Sequence, residues 1–374
     1  MKTADVAIVG GGVIGAACAR AAALRGLEVV IFEPGPDPAA ASPASAGLLA
    51  PQIEPADETV VALSVRARDL YEPLAPVLRE TTGIDIGFWR AGIAAVAFDD
   101  AAANRLKDDV ARQRQAGLRC DWLETDEVRE RWPGAAPECA GALFAPEDGA
   151  LDPLALARAC LADARRVGAT LVPEKVETLA VTGGQVSAVV TAGGTTSVQH
   201  AVLAAGVWTP QVGGLPRPLP VEPLRGQMAA TPWPDGCPPT ILYHDHGYVL
   251  ARGGDALLGS TMERAGYDAH VTNEGLAQIF REGVRLLPAL LTQAVRRVWA
   301  GLRPATPDGR PVLGPDPDVE RLWYATGHGR NGILLAALTG EIIADLITKG
   351  ETDVELGAFS VERFGQPQDA NRKP

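Results

Sequence analysis

The 374 residues are 47% hydrophobic and 21% charged, with 41 glycines and 30 prolines, a composition that excludes an unfolded chain and allows two packed cores. A formal net charge of −12 argues against nucleic acid or an anionic membrane surface as partner, and leaves room for a small anion held by local arginines. No stretch approaches the roughly 20 apolar residues of a membrane span, and the five scattered cysteines (Cys18, Cys120, Cys139, Cys160, Cys237) form no CxxC pair, so a reduced, cytoplasmic protein is expected.

Residues 6–9 read as an apolar strand running into the turn GGGVIG at 10–15. A small-residue helix over 16–24 follows, and a second strand at 29–32 delivers Glu33. This is the layout of a dinucleotide-binding unit. Gly10 takes the tight turn, Gly12 lets the backbone approach a pyrophosphate, and Gly15 lets the helix pack on the sheet. The helix N-terminus then faces the diphosphate with unpaired amides and a partial positive charge. Glu33, eighteen residues past Gly15, can accept from both ribose hydroxyls, which favours NAD or FAD over NADP.

SPASAG at 42–47 offers the hydroxyls of Ser42 and Ser45 with small neighbours Ala46 and Gly47, where the chain returns to the pyrophosphate; a plain surface turn is the alternative. Helical spacing runs over 57–82 and closes at Gly83. A strand is expected at 92–98, a polar surface helix at 101–116, and a helix at 152–167 with Asp152 as N-cap and Pro153 in the first turn. Short strands follow at 170–172, 176–181 (opened by Val176) and 186–190. The strand at 200–204 runs into Ala205, Gly206 and Trp208, where small residues either permit a second close approach to the dinucleotide or simply end a strand.

Eight prolines in the twenty-four residues 216–239 exclude helix and suggest a crossing between domains. A hairpin is expected from 248–251 to 256–258 about Gly253, Gly254 and Asp255, then a helix at 273–287 and a strand at 295–301. The glycine-rich turn TGHGRNG opens the last helix, 332–348, at Asn331 and Gly332. Its N-terminus suits the negative end of a reduced flavin ring, a need that nicotinamide lacks. His244 and His246 form an HxH pattern without a third ligand, so a structural or pocket-lining role is expected and no metal.

A sheet that starts at residue 6 and is completed after residue 300 implies an α/β fold with a discontinuous Rossmann-like cofactor domain (1–85, 140–215, 300–364). A mostly antiparallel α+β substrate domain (86–139, 216–299) and a polar, disordered tail (365–374) complete the expectation.

Five motifs taken together, GGGVIG with Glu33, AAGVW at 204–208, LYHDHGYVL at 242–250, WAGLRPATPDGRP at 299–311 and GHGRNGILLA at 327–336, resemble the D-amino-acid-oxidase superfamily of FAD enzymes. Within it the chain is most similar to the glycine-oxidase group, which supplies a glycine-derived imine for the thiazole of thiamine. The resemblance implies FAD, bound non-covalently because no cysteine follows Cys237 in the region used for covalent attachment by some relatives. It implies a cofactor site of Gly10, Gly12, Val13, Ile14, Gly15, Glu33, Ser42, Ser45, Ala46, Gly47, Leu48, Val176, Ala205, Gly206, Trp208, Arg303, His328, Gly329, Arg330, Asn331, Gly332, Ile333 and Leu334.

By the same resemblance, Arg303 holds the substrate carboxylate through two parallel donors and Tyr248 donates to that carboxylate. Arg330 either lies at flavin and substrate or braces its loop. The implied reaction moves a hydride from the alpha carbon of glycine, sarcosine or a small D-amino acid to flavin, with dioxygen as acceptor. A dehydrogenase serving a quinone or partner protein, and a non-catalytic flavin-binding subunit, are the alternatives. A homo-oligomer is compatible with each. Where Gly329, Ala305 and Leu48 stand, the group usually has an aromatic residue, glycine and methionine, and LLAA replaces a frequent proline in the last helix. Loss of the aromatic beside Arg330 implies room for a substrate larger than glycine.

Overall fold

A computed structural model describes residues 2–54, 58–245 and 247–365. Among these residues the strands form two eight-stranded sheets and one two-stranded ribbon. At the centre of the first sheet, Lys2–Val9 pairs in parallel with Val29–Phe32 on one side and Gly194–Leu203 on the other. Thr170–Val172 extends it beyond Val29–Phe32, and Leu322–Thr326 beyond Gly194–Leu203, both in parallel register. Val6, Ala7 and Ile8 are wholly buried, as a strand covered on both faces requires.

Three helices cover one face: Val13–Leu24, Pro153–Arg166 and Gly332–Lys349. The first is rich in alanine because helices crowd it; Gly340 of the last helix comes so near that a Cβ there would stand 2.6 Å from Ala17 O. The opposite face carries the antiparallel strands Val176–Thr182 and Gln185–Thr191, whose valines close a second apolar cluster with Val30, Phe32 and Leu203. The last helix with its leading turn, Gly329–Lys349, is long and apolar enough to cross a membrane, with mean hydropathy 1.4, which corrects the expectation that no stretch reaches that length. Its apolar character is explained by burial of Ile333, Leu334, Leu335, Leu338, Ile342 and Ile343 in the first core.

The second sheet runs in the order Arg297–Ala305, Glu222–Pro232, Asp255–Gly259, Gly247–Arg252, Ile241–His244, Ile93–Ala97, Gly141–Ala145, Asp121–Leu123. It is antiparallel except where Ile241–His244 meets Ile93–Ala97. The expected hairpin about Gly253 and Gly254 is present.

Several expectations need correction. The proline-rich stretch expected as a crossing contains Glu222–Pro232, an interior strand of this sheet. Its prolines lie near the strand's ends, and Pro223 faces Pro304, so two residues without a backbone donor oppose one another. The strand expected at 295–301 runs from Arg297 to Ala305 and therefore carries Arg303. Residues 141–145 and 300–305, expected in the cofactor domain, run in this second sheet. The strand expected at 200–204 is the end of a ten-residue strand that begins at Gly194. The helix expected over 57–82 is two helices, Glu58–Asp69 and Tyr71–Thr82, and Gly83 ends the second with a φ of 74°. Asp57, His246 and residues 366–374, the bulk of the expected tail, lie outside the described residues.

Candidate functional site

The turn after Lys2–Val9 is where the first sheet meets the start of a helix. Gly10 has a φ of 104°, and a Cβ there would stand 2.7 Å from Ala204 O, so only glycine fits between the two strand ends. The turn through Ala205 and Gly206 is thereby brought against Gly10, with Ala204 N donating to Val9 O at 2.8 Å. Trp208 follows within the short 3-10 helix Gly206–Gln211, which Thr209 and Thr326 tie down through Gly206 O.

Gly12 caps Val13–Leu24 without a side-chain bond of its own, leaving Val13 N to donate to Ser42 Oγ at 3.0 Å. Ile14 and Gly15 complete the first turn. A Cβ on Gly12 would meet nothing nearer than Ser42 Oγ, at 3.3 Å. The helix N-terminus therefore opens onto space edged by a hydroxyl, which fits a diphosphate. Glu33 stands at its side and accepts from Gly11 N at 2.6 Å and Gly35 N at 3.2 Å.

Residues 39–48 form the next wall. Ser42 lies in the single turn Ala41–Ala44, Ser45 Oγ accepts from Gly47 N, and Leu48 pairs with Ala150 in the small ribbon. The wall is clamped by the second sheet: Leu302 N donates to Ala39 O, Trp299 Nε1 to Ala44 O, and Arg252 Nη1 to Ala46 O at 2.8 Å. Val176 is buried in the opposite cluster, in register with Thr191.

The last helix opens at Gly332, Ile333 and Leu334 after the 3-10 turn Gly329–Asn331, and its N-cap Asn331 makes no side-chain capping bond. His328, beside this N-terminus, is 1% exposed. Its Nε2 meets Thr339 Oγ1 at 3.0 Å while its Nδ1 is buried with no partner. Burial pushes the imidazole down to about 3, so it is neutral. An uncapped helix start with an orphaned ring nitrogen beside it fits a polar heterocycle. Gly329 has a φ of 54°, and no atom beyond its two chain neighbours lies within 4 Å of the position its Cβ would take.

Arg303, Tyr248 and Arg330 converge from three elements. Arg303 is half-buried and donates from Nη1 to Thr261 O at 3.1 Å and from Nη2 to Ser260 Oγ at 2.6 Å. Burial, with Arg330 nearby, lowers its guanidinium from the ordinary value, and no carboxylate pairs with it among the described residues. Arg330 is different: its Nη2 meets Glu54 Oε1 at 2.7 Å and Tyr243 Oη at 2.7 Å. Burial works against that charge, but Glu54 holds Arg330 above the ordinary arginine range. Tyr248 is buried and stacks on Tyr243 with ring centroids 6.3 Å apart; burial pushes its phenol up to about 12.

Glu54, Tyr243, Gly226, Ser260 and Thr261 were not foreseen from sequence. Tyr243 had a usable signal, since it pairs directly with Tyr248 across a hairpin and therefore shares its face. His244 consequently points the other way, to Glu282 at 3.3 Å and to the edge of Phe98. No cluster of three or more His, Cys, Asp or Glu side chains suited to a metal occurs among the described residues.

The chain is 36% identical to glycine oxidase of Geobacillus kaustophilus over 96% of its own length and 97% of that protein's. It is 35% identical to the bifunctional protein ThiO/ThiG of Trichormus variabilis, covering 97% of this chain but 55% of that one, so it spans about half the length of such fused relatives. The crystal structure of glycine oxidase from Geobacillus kaustophilus superposes with a TM-score of 0.92 at 34% identity, covering 97% of this chain and 99% of that one. Residues 5–346 match the FAD dependent oxidoreductase family, and the chain belongs to that family.

Proposed function

We propose that the protein oxidises glycine or a small amine-bearing acid, such as sarcosine, D-alanine or D-proline, with non-covalent FAD and dioxygen. The first sheet and its helices form the cofactor-binding unit and the second sheet the substrate-binding unit. FAD, when bound, accepts the hydride of the substrate's alpha carbon. For glycine or D-alanine the overall balance is amino acid, dioxygen and water giving oxo acid, ammonia and hydrogen peroxide; sarcosine releases methylamine in place of ammonia, and D-proline with dioxygen gives a cyclic imine, which keeps its nitrogen, and hydrogen peroxide.

One observation carries the reading: Arg303 is a half-buried cation with only neutral acceptors, Ser260 Oγ and Thr261 O, whereas Arg330 is already neutralised by Glu54. A guanidinium in that state gains most from a carboxylate, and two of its five donors are already committed. The site therefore asks for a monoanionic acid with a neutral amine, held so that its alpha carbon faces the cofactor. No strong base is assigned; the amine sheds its proton to solvent before the reaction. The absence of cysteine after Cys237 supports non-covalent binding. Open space at Gly329 supports substrates larger than glycine.

The test is an anaerobic panel of glycine, sarcosine, D-alanine and D-proline, read by loss of flavin absorbance, followed by peroxide assay in air. Arg303→Ala is expected to keep its yellow colour and lose turnover by about a hundredfold or more. Unchanged kinetics in that variant rule out the anchor. Bleaching without peroxide in air rules out the oxidase and leaves the dehydrogenase.

A further inference from the structure

Arg303 and Arg330 are neighbours in the fold, because the strand Arg297–Ala305 packs against the turn Gly329–Asn331. They differ in what balances their charge: Arg303 has only neutral acceptors, whereas Arg330 Nη2 meets Glu54 Oε1 at 2.7 Å. The ion pair stands at the rim of the site, the Arg330 side chain being 36% exposed and that of Glu54 16%. Tyr243 ties it to the interior, since its phenol oxygen accepts from Arg330 Nη2 and its ring stacks on the buried Tyr248 across the hairpin.

Arg330 is not saturated. Its Nη1 has only Met262 Sδ, at 3.8 Å, and a thioether is a weak acceptor. Met262 is 54% exposed, so this end of the guanidinium is open to a ligand group entering from solvent. Room exists as well, because the position of a Cβ on the adjacent Gly329 is free of neighbours. A spare donor, an open route and free space would capture a second carboxylate if the charge of Arg330 were available. Glu54 cancels that charge. Asp245, two residues after Tyr243, is turned instead to Arg105, at 3.5 Å.

We propose that Glu54 determines specificity by limiting the site to substrates with a single carboxylate. The inference rests on the reading of Arg303 as the carboxylate anchor. Arg303 takes the first carboxylate. A second one, on the substrate nitrogen or on its side chain, meets Arg330 with Glu54 already in place, so attraction to the cation is offset by repulsion from the anion. Its desolvation then goes uncompensated. Glycine, sarcosine and D-alanine carry no such group and meet no such penalty.

The test uses the full chain loaded with FAD and follows the flavin spectrum during titration with acetate, malonate and succinate, carboxylates with no amine-bearing carbon to oxidise. The quantity read is the affinity for each dicarboxylate relative to acetate. Glu54→Gln, which keeps the size and removes the charge, is expected to raise that ratio about fivefold for at least one of the two dicarboxylates. Arg330→Met leaves Glu54 unopposed and is expected to lower the ratio, and the double variant to return it to within about twofold of the parent. An ion pair that merely braced its loop would shift the ratio the same way when broken from either side. An unchanged ratio in Glu54→Gln therefore overturns the proposal, as does a shift of the same sign in both single variants. Retained flavin absorbance shows that a variant is folded; if Glu54→Gln loses it, a ratio that does not fall in Arg330→Met overturns the proposal by itself. If glycine or sarcosine bleaches the parent while the ratio is constant across the variants, the role of Glu54 is wrong and the functional reading stands. If the parent is neither bleached by any amine nor perturbed by acetate, both fall.

Discussion

Arg303 lies over Gly226 on the neighbouring strand, and a Cβ at that glycine would overlap the guanidinium carbon and both terminal nitrogens. The side chain is held from above by Ser260 and Thr261, so an added methyl leaves it nowhere to retreat without breaking those bonds. Gly226→Ala is therefore expected to retain FAD and to lose turnover by about a hundredfold, the scale of an ångström-sized misplacement. Turnover within a few-fold of the parent would show that the guanidinium tolerates displacement. Legibility at this scale was uneven. Arg303 and Tyr248 stand inside motifs that the sequence displays, whereas Gly226 sits in a proline-rich stretch with nothing to mark it. Its role exists only because Glu222–Pro232 pairs with Arg297–Ala305 in a register that sets Leu224 opposite Arg303 and Gly226 opposite Gly301.

Between elements, a buried polar knot joins the helix Glu58–Asp69 to Gln52, two residues before Glu54. Arg68, 2% exposed, donates to Asp148 Oδ1 at 3.0 Å and Gln52 Oε1 at 2.8 Å, and Gln52 N donates to Asp148 Oδ2 at 3.1 Å. Asp148 is wholly buried, and although Arg68 pulls against it, burial raises its carboxyl to about 7. Arg68 is shared with Asp69 and Glu147, which limits what it can do for Asp148. A folded value of about 7, against roughly 3.9 unfolded, means that the folded state binds this proton more tightly. The resulting stabilisation is complete below about pH 4 and is lost as pH rises through about 7. Asp148→Asn, which cannot ionise, is expected to gain thermal stability relative to the parent as pH increases from 5 to 8; a pH-independent difference in melting temperature would contradict this. Neither Arg68 nor Asp148 was legible as a pair, because eighty positions separate them and only the folding of the helix against the ribbon joins them.

Over the whole molecule, two helix N-termini, at Gly12 and Gly332, belong to helices packed side by side with Gly340 against Ala17, and neither has a side-chain cap of its own. On the proposed function FAD spans this pair, and a ligand bound to the folded state alone stabilises it by mass action. Stripping the cofactor is expected to lower the melting temperature, and free FAD at about a hundred times its dissociation constant to raise it again by about 3–4 °C for a chain of 374 residues. A melting temperature indifferent to FAD would refute that placement of the cofactor. The dinucleotide turn was legible in the sequence because it depends on local spacing, glycines at one strand end and an acid at the next; the family was legible from five separated motifs, and the expectation that Arg303 and Tyr248 hold a carboxylate came with that resemblance. Only the tertiary structure decided which cation is free and which is neutralised. That depends on Glu54 reaching Arg330 while Arg303 is left with Ser260 and Thr261, a division of partners between residues more than forty positions apart that no local pattern encodes.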